Sequence, residues 1–186
     1  YEISYRLVGS EMCIRDSING EFFHRDQAKI SVFDSGFLLG DGIWEGIRLV
    51  NNSWLFLDEH LDRLYEGCKA IDIQLDEDKK FLTNAIIETQ KINDITDAAH
   101  ARVMVTRGNK IKPFQQPSLS KDGINLVIIM EHSEEHPNTD GVKLVTVPQV
   151  RGLPMSQDPK LNSHSKLNCI IACIQANKSG AVSYTH

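Results

Sequence analysis

Two periodicities run along this chain and divide it into strands and helices. Residues 18–22 (Ile-Asn-Gly-Glu-Phe) predict a strand entered through an Asn-Gly turn, and residues 28–34 a second short strand. Residues 34–42 (Asp-Ser-Gly-Phe-Leu-Leu-Gly-Asp-Gly) read as a glycine-rich loop. Beyond it, the stretches 43–50 and 54–57 flank Asn51-Asn52, a hairpin signal. Asp58 then offers an N-cap to a helix whose apolar positions Leu61, Leu64, Tyr65 and Cys68 share one face. A second helix is expected over 78–92.

Strands follow at 101–106 and 124–131, separated by a polar, proline-containing loop over 108–123. The second is a continuous apolar run, as expected of a strand covered on both faces. Residues 132–140 are polar and read as a linker, after which a strand at 142–147 opens a second domain. Leu167, Ile170, Ile171 and Ile174 mark a last helix, closed by Ser179-Gly180.

Composition narrows the class. The chain has 186 residues, 41% hydrophobic and 24% charged, as in a soluble globular protein. The net charge of -5 comes from interspersed acids and bases without a basic stripe, which argues against nucleic acid as a partner. No apolar run reaches the length of a membrane span and no secretory leader is recognisable, so the expected compartment is cytoplasmic. The cysteines Cys13, Cys68, Cys169 and Cys173 form no CxxC pair or disulfide framework. Cys169 and Cys173 are four apart on a helix, but no facing His or Cys cluster supports a metal, so both are read as buried thiols.

The ends have a different character. Residues 1–17 carry no clean period and resemble translated sequencing-adapter read-through, and residues 182–186 (Val-Ser-Tyr-Thr-His) resemble its partner. The genuine protein is therefore expected over 18–181, with a small N-terminal domain at 18–131, a linker at 132–140 and a truncated C-terminal domain at 141–181.

Four segments carry a resemblance: Asn19-Gly-Glu, the loop and strand from Phe33 to Arg48, Leu57-Asp-Glu-His-Leu-Asp-Arg-Leu64, and Arg102-Val-Met-Val-Thr-Arg-Gly108. Together they resemble the class IV (fold type IV) pyridoxal-phosphate-dependent aminotransferases of branched-chain and D-amino acid type. The specific part is Gly-Asp-Gly-x-x-Glu-Gly followed by His-Leu-Asp-Arg-Leu.

The resemblance implies roles residue by residue. Arg63, in the His-x-x-Arg-Leu helix, matches the arginine that holds the cofactor phosphate, a task suited to a planar, two-pronged cation. The plainer reading pairs it with Asp62 or Glu59. Arg102 matches the arginine that meets the substrate carboxylate, and His100 stands where branched-chain members have tyrosine; Arg107 is an alternative to Arg102, or caps its loop. Trp44 and Glu45 match positions lining the substrate pocket.

The chemistry also requires a lysine amine that joins the cofactor aldehyde and then moves the substrate proton. Ungapped matching over 175–181 puts asparagine, Asn162, at that position. Lys166 and Lys160 are the candidates, Lys166 from similar Lys-x-Leu-Asn text with a local gap, and Lys160 because alternate strand residues share a face with Asn162. A third possibility is a member without a catalytic amine.

The resemblance thus implies an α/β (α+β, two-domain) protein binding pyridoxal 5'-phosphate between domains. It would act as a homodimer on amino acids and 2-oxo acids. The pyridine-pairing acid and second phosphate loop would lie downstream, so the chain as given is expected to be inactive. The alternatives are an aminodeoxychorismate-type lyase and a non-catalytic binding protein.

Overall fold

The computed structural model of the chain describes residues 14–133 and 141–185. Most of the first segment set aside on sequence grounds, residues 1–13 with Cys13, lies outside the described residues. The first hairpin pairs β1 (Arg15–Ile18) with β2 (Glu21–His24) across Asn19 and Gly20, both at positive φ (53° and 85°). Asn and Gly enter that conformation at least cost, and its twist suits a two-residue hairpin. The strand predicted from the sequence starts at Ile18, with no clean period over the residues just before it. Residues 15–17 nevertheless belong to β1: Ile14 is buried, and so is Asp16, whose carboxylate accepts from Arg25 and from the Met130 amide.

Residues 28–34 do not form the expected strand. They cross the outer face of the sheet, where Ala28 and Ile30 line a cavity, and only Asp34 makes an isolated bridge, to Asn109. The glycine-rich loop likewise contains a short helix, α1 (Ser35–Leu39). Asp34 Oδ1 accepts from the Phe37 amide at 3.0 Å, and Gly40 closes the turn at φ 70°.

β3 (Gly42–Val50) and β4 (Ser53–Trp54) form the predicted hairpin, with Asn51 and Asn52 both at positive φ. α2 (Leu57–Ala70) follows directly, but Asp58 is not its cap. Phe56, left-handed at φ 52°, precedes the helix, and Asp58 lies in the first turn, where its negative charge complements the positive end of the helix dipole. α3 (Lys79–Ile92) starts as expected at Asp78, which accepts from the Phe81 amide at 2.7 Å. β5 (Ala99–Thr106) and β6 (Asn125–His132) complete a six-stranded antiparallel sheet in the order β2-β1-β6-β5-β3-β4.

Helices α2 and α3 cover one face of this sheet. Ile43, Ile47 and Leu49 of β3, Val103 and Val105 of β5, and Ile128 and Met130 of β6 are buried against Leu61, Leu64, Leu82 and Ile86. The apolar run in β6 is not equally covered on its two faces. Leu126, Ile128 and Met130 are buried under the helices, whereas Val127 and Ile129 remain half-buried on the opposite face. That second face holds the candidate site.

In the later part of the chain, β7 (Leu144–Thr146) pairs in parallel with β8 (Ser183–Thr185), within the terminal residues set aside on sequence grounds. α4 (Leu167–Lys178) buries Ala172 and Ala176. Cys173 is exposed and Cys169 only half-buried, contrary to expectation, because alanines form the packed side of that helix. Residues 134–140, most of the expected linker, lie outside the described residues. The architecture is mixed α/β with a mostly antiparallel sheet.

Candidate active site

Strand alternation puts adjacent residues of β3 on opposite faces. Trp44, Gly46 and Arg48 face away from the helices, while Glu45 points beneath α2 and is fully buried. A lone buried carboxylate would be costly, and this one has two partners. Arg63 donates to both oxygens, Nε to Oε1 and Nη2 to Oε2, each at 2.6 Å, and His60 Nδ1 lies 2.8 Å from Oε2. The Glu45 hydrogen bond and charge raise the Arg63 pKa. Arg63 is therefore paired neither with Asp62 nor with Glu59. Its side chain is 54% exposed and Nη1 has no partner among the described residues, so an anion can still approach. Glu45, expected in the substrate pocket, instead sits behind the sheet as the anchor of Arg63.

On the other face, Arg102 stands beside Gly46 in the β3–β5 register and His100 beside Arg48. The Arg102 guanidinium carbon lies 4.3 Å from the centroid of the Trp44 ring. His100 occupies the space over Gly46: a Cβ on that glycine would lie 2.6 Å from His100 Nε2. Burial, then the neighbouring Arg102 charge, lowers the His100 pKa.

The segment before α4 reaches this face by pairing with the start of β3. Trp44 N donates to Asn162 O (2.9 Å), His164 N donates to Gly42 O (2.9 Å), and Trp44 Nε1 donates to Ser163 O (3.2 Å). Lys166 begins the turn into α4, and its side chain folds back: Nζ donates to Asn162 Oδ1 at 2.9 Å and lies 5.3 Å from the Trp44 centroid. Lys160 differs. No strand forms around it, so the shared-face argument does not apply; it is exposed, and its amide donates to Asp158. Arg107 ties Asp41 to the carbonyls of Ile71 and Asp72, fastening the glycine-rich loop to the end of α2.

Sequence reasoning gave no role to His60 or His164. His60 was visible only as one letter of the helix motif. His164 fits between Gly36 and Gly42, its Nε2 buried with no hydrogen-bond partner among the described residues and its pKa lowered, chiefly by burial. It also borders a cavity of about 550 Å³ floored by Met104, Val127 and Ile129. Among the described residues no group of three or more metal-binding side chains occurs, and no helix is long and apolar enough to cross a membrane.

The chain is 36% identical over 164 residues to a putative branched-chain-amino-acid aminotransferase of Methanocaldococcus jannaschii, a match covering 88% of this chain and 56% of the relative. It is 33% identical over 165 residues to branched-chain-amino-acid aminotransferase-like protein 1 of Arabidopsis thaliana, again covering 88% of this chain but 30% of that protein. The chain thus spans about a third to just over a half of the length of these relatives. The fold is similar to that of a Thermoproteus uzoniensis branched-chain aminotransferase crystallised with norvaline, with a TM-score of 0.79 at 21% identity over 90% of this chain and 57% of the other. The sequence profile described as amino-transferase class IV matches residues 42–183, which takes in β3, the arginine helix and the lysine segment, and the chain belongs to that family.

Proposed function

We propose that this chain supplies cofactor- and substrate-facing residues of a pyridoxal-phosphate-dependent aminotransferase. The reaction moves an amino group between an amino acid, of branched-chain type, and a 2-oxo acid. The observation that carries this reading is that Lys166 and Arg102 each lie against the same aromatic ring, Trp44. The names of the relatives support the branched-chain class.

The residues fit the cofactor. Its phosphate needs a fixed cation, and Arg63 is held by Glu45 with part of its guanidinium outward. Its aldehyde needs an amine, and Lys166 presents one over Trp44. When bound, the cofactor supplies the electron sink that makes the substrate α-proton acidic. Lys166 carries that proton as base and then acid. Arg102 binds the substrate carboxylate, and the Trp44 ring faces the side chain and excludes water. His100, kept neutral by burial and its arginine neighbour, offers one ring nitrogen as donor and the other as acceptor beside Arg102. Lys160 is the lesser candidate for the amine, and a pair of chains is the expected assembly.

The test is to add pyridoxal 5'-phosphate, reduce with borohydride and map the pyridoxyl group by mass spectrometry. Label on Lys166 is the expected result. Retained cofactor with no labelled lysine would overturn the reading in favour of non-catalytic binding. In the whole enzyme, amino-group release that needs no 2-oxo acid acceptor would point to a lyase.

A further inference from the structure

Lys166 has a long, flexible side chain, and holding such a chain in one place costs rotamer entropy. Something must offset that if the amine is to stay over Trp44. The backbone upstream is fixed: Asn162 O and Ser163 O accept from the Trp44 backbone and ring, and His164 donates to Gly42. The chain then turns through Ser165, whose amide donates to Ser163 Oγ at 3.0 Å, and the Lys166 side chain runs back to Asn162 Oδ1. The side chain at 162 therefore rests on a backbone that cannot drift from β3.

We infer that Asn162 is a positioning residue for the Lys166 amine, its amide oxygen holding the nitrogen against the Trp44 ring. This rests on the reading of Lys166 given above and says how the amine is placed. An amide oxygen accepts from an amine whether that amine is charged or neutral. A carboxylate at the same point would favour the charged form, which has no lone pair for attack. The lysine nitrogen must be neutral to take the place of the aldehyde oxygen, which leaves as water with no change in oxidation state. An asparagine therefore supplies placement without opposing the chemistry.

The first test needs no cofactor. The 186-residue chain is acetylated with limiting acetic anhydride across pH, and the rate at Lys166 is read by mass spectrometry against Lys121 and Lys178 as internal references. N162D keeps an oxygen acceptor but adds charge, and is expected to move the Lys166 reactivity profile upward by about one pH unit or more. N162A is expected to change the Lys166 rate and profile while leaving the reference lysines unchanged. Profiles at Lys166 identical in the wild type, N162A and N162D would overturn the inference.

The second test uses pyridoxal 5'-phosphate and borohydride. Wild type is expected to take label at Lys166, and N162A to take it at the same residue but roughly three- to tenfold more slowly, as for loss of one hydrogen bond. The double variant N162K/K166M is expected to carry the label at position 162. Wild-type label elsewhere, with the N162D shift intact, would remove the assigned role of Lys166 but not its positioning by Asn162. Equal labelling rates in wild type and N162A would overturn the positioning.

Discussion

A single carboxylate, that of Glu45, holds Arg63 in place from beneath α2. Glu45 is inaccessible to solvent, so its charge depends on Arg63 and His60. Removing one partner of a buried pair leaves the other uncompensated, though Arg63 is half-exposed and water can enter where it leaves. Arg63→Ala is therefore expected to cost about 2–3 kcal/mol, read as a lower urea midpoint at unchanged slope. Arg63→Lys should recover only part, because a point cation cannot serve both oxygens in parallel. A neighbouring prediction concerns Gly46. A methyl there would meet His100 Nε2 at 2.6 Å and push the imidazole off the sheet. Gly46→Ala is expected to cost about 1–3 kcal/mol and to raise the His100 pKa toward the ordinary histidine value as burial is relieved, measured by NMR titration of the ring.

Elements were legible where one period or one turn residue decided them. The α2 stripe of Leu61, Leu64 and Cys68 and the extent of α3 could be read directly, because the faces of a helix are a local property, whereas Asp58, expected as a cap, lies instead in the first turn of α2. The paired asparagines at 51–52 announced their hairpin for the same reason. Local signals failed over residues 28–34, whose alternating apolar residues suit a strand but cross the sheet face and find no ladder partner. They failed again at β1, where Asp16 looks wrong for a buried strand until Arg25 folds over it. The loop over 108–123 shows how tightly a connection can be bound. A Cβ at Gly108, where φ is 82°, would lie 1.8 Å from the Gly123 carbonyl oxygen. Gly108→Ala combines that clash with a conformation L residues avoid, and is expected to cost about 3 kcal/mol or more, seen in thermal unfolding.

At the scale of the whole molecule, pH acts through two half-buried histidines, His100 and His164. The pKa values of His100 and His164 are both lowered, burial being the first cause in each. The unfolded chain therefore binds protons more readily in the window just below the ordinary histidine value of 6.5. Their contribution is fully present above that pH and is lost as pH falls toward the folded-state values. Stability measured by urea titration should drop below about pH 6.5. His164→Gln should flatten the drop, since the glutamine amide does not take up a proton in this range. A profile unchanged by this variant would mean that His164 is not among the groups responsible.

The sequence by itself determined helices α2, α3 and α4, the principal hairpin, the presence of strands β5 and β6, and the family, because period, turn chemistry and motif spacing are written within short windows of chain. It also brought Arg63, Arg102 and Lys166 forward as candidates. Only the tertiary structure decided what faces what. Glu45 and Trp44 are neighbours in β3, yet one is sealed beneath α2 while the other forms the floor for Lys166 and Arg102. Lys166 returns to that floor because the chain at 162–164 pairs with β3 well over a hundred residues earlier in sequence. No window of sequence contains that pairing. It exists because the exposed edge of β3 leaves backbone donors and acceptors that must be satisfied.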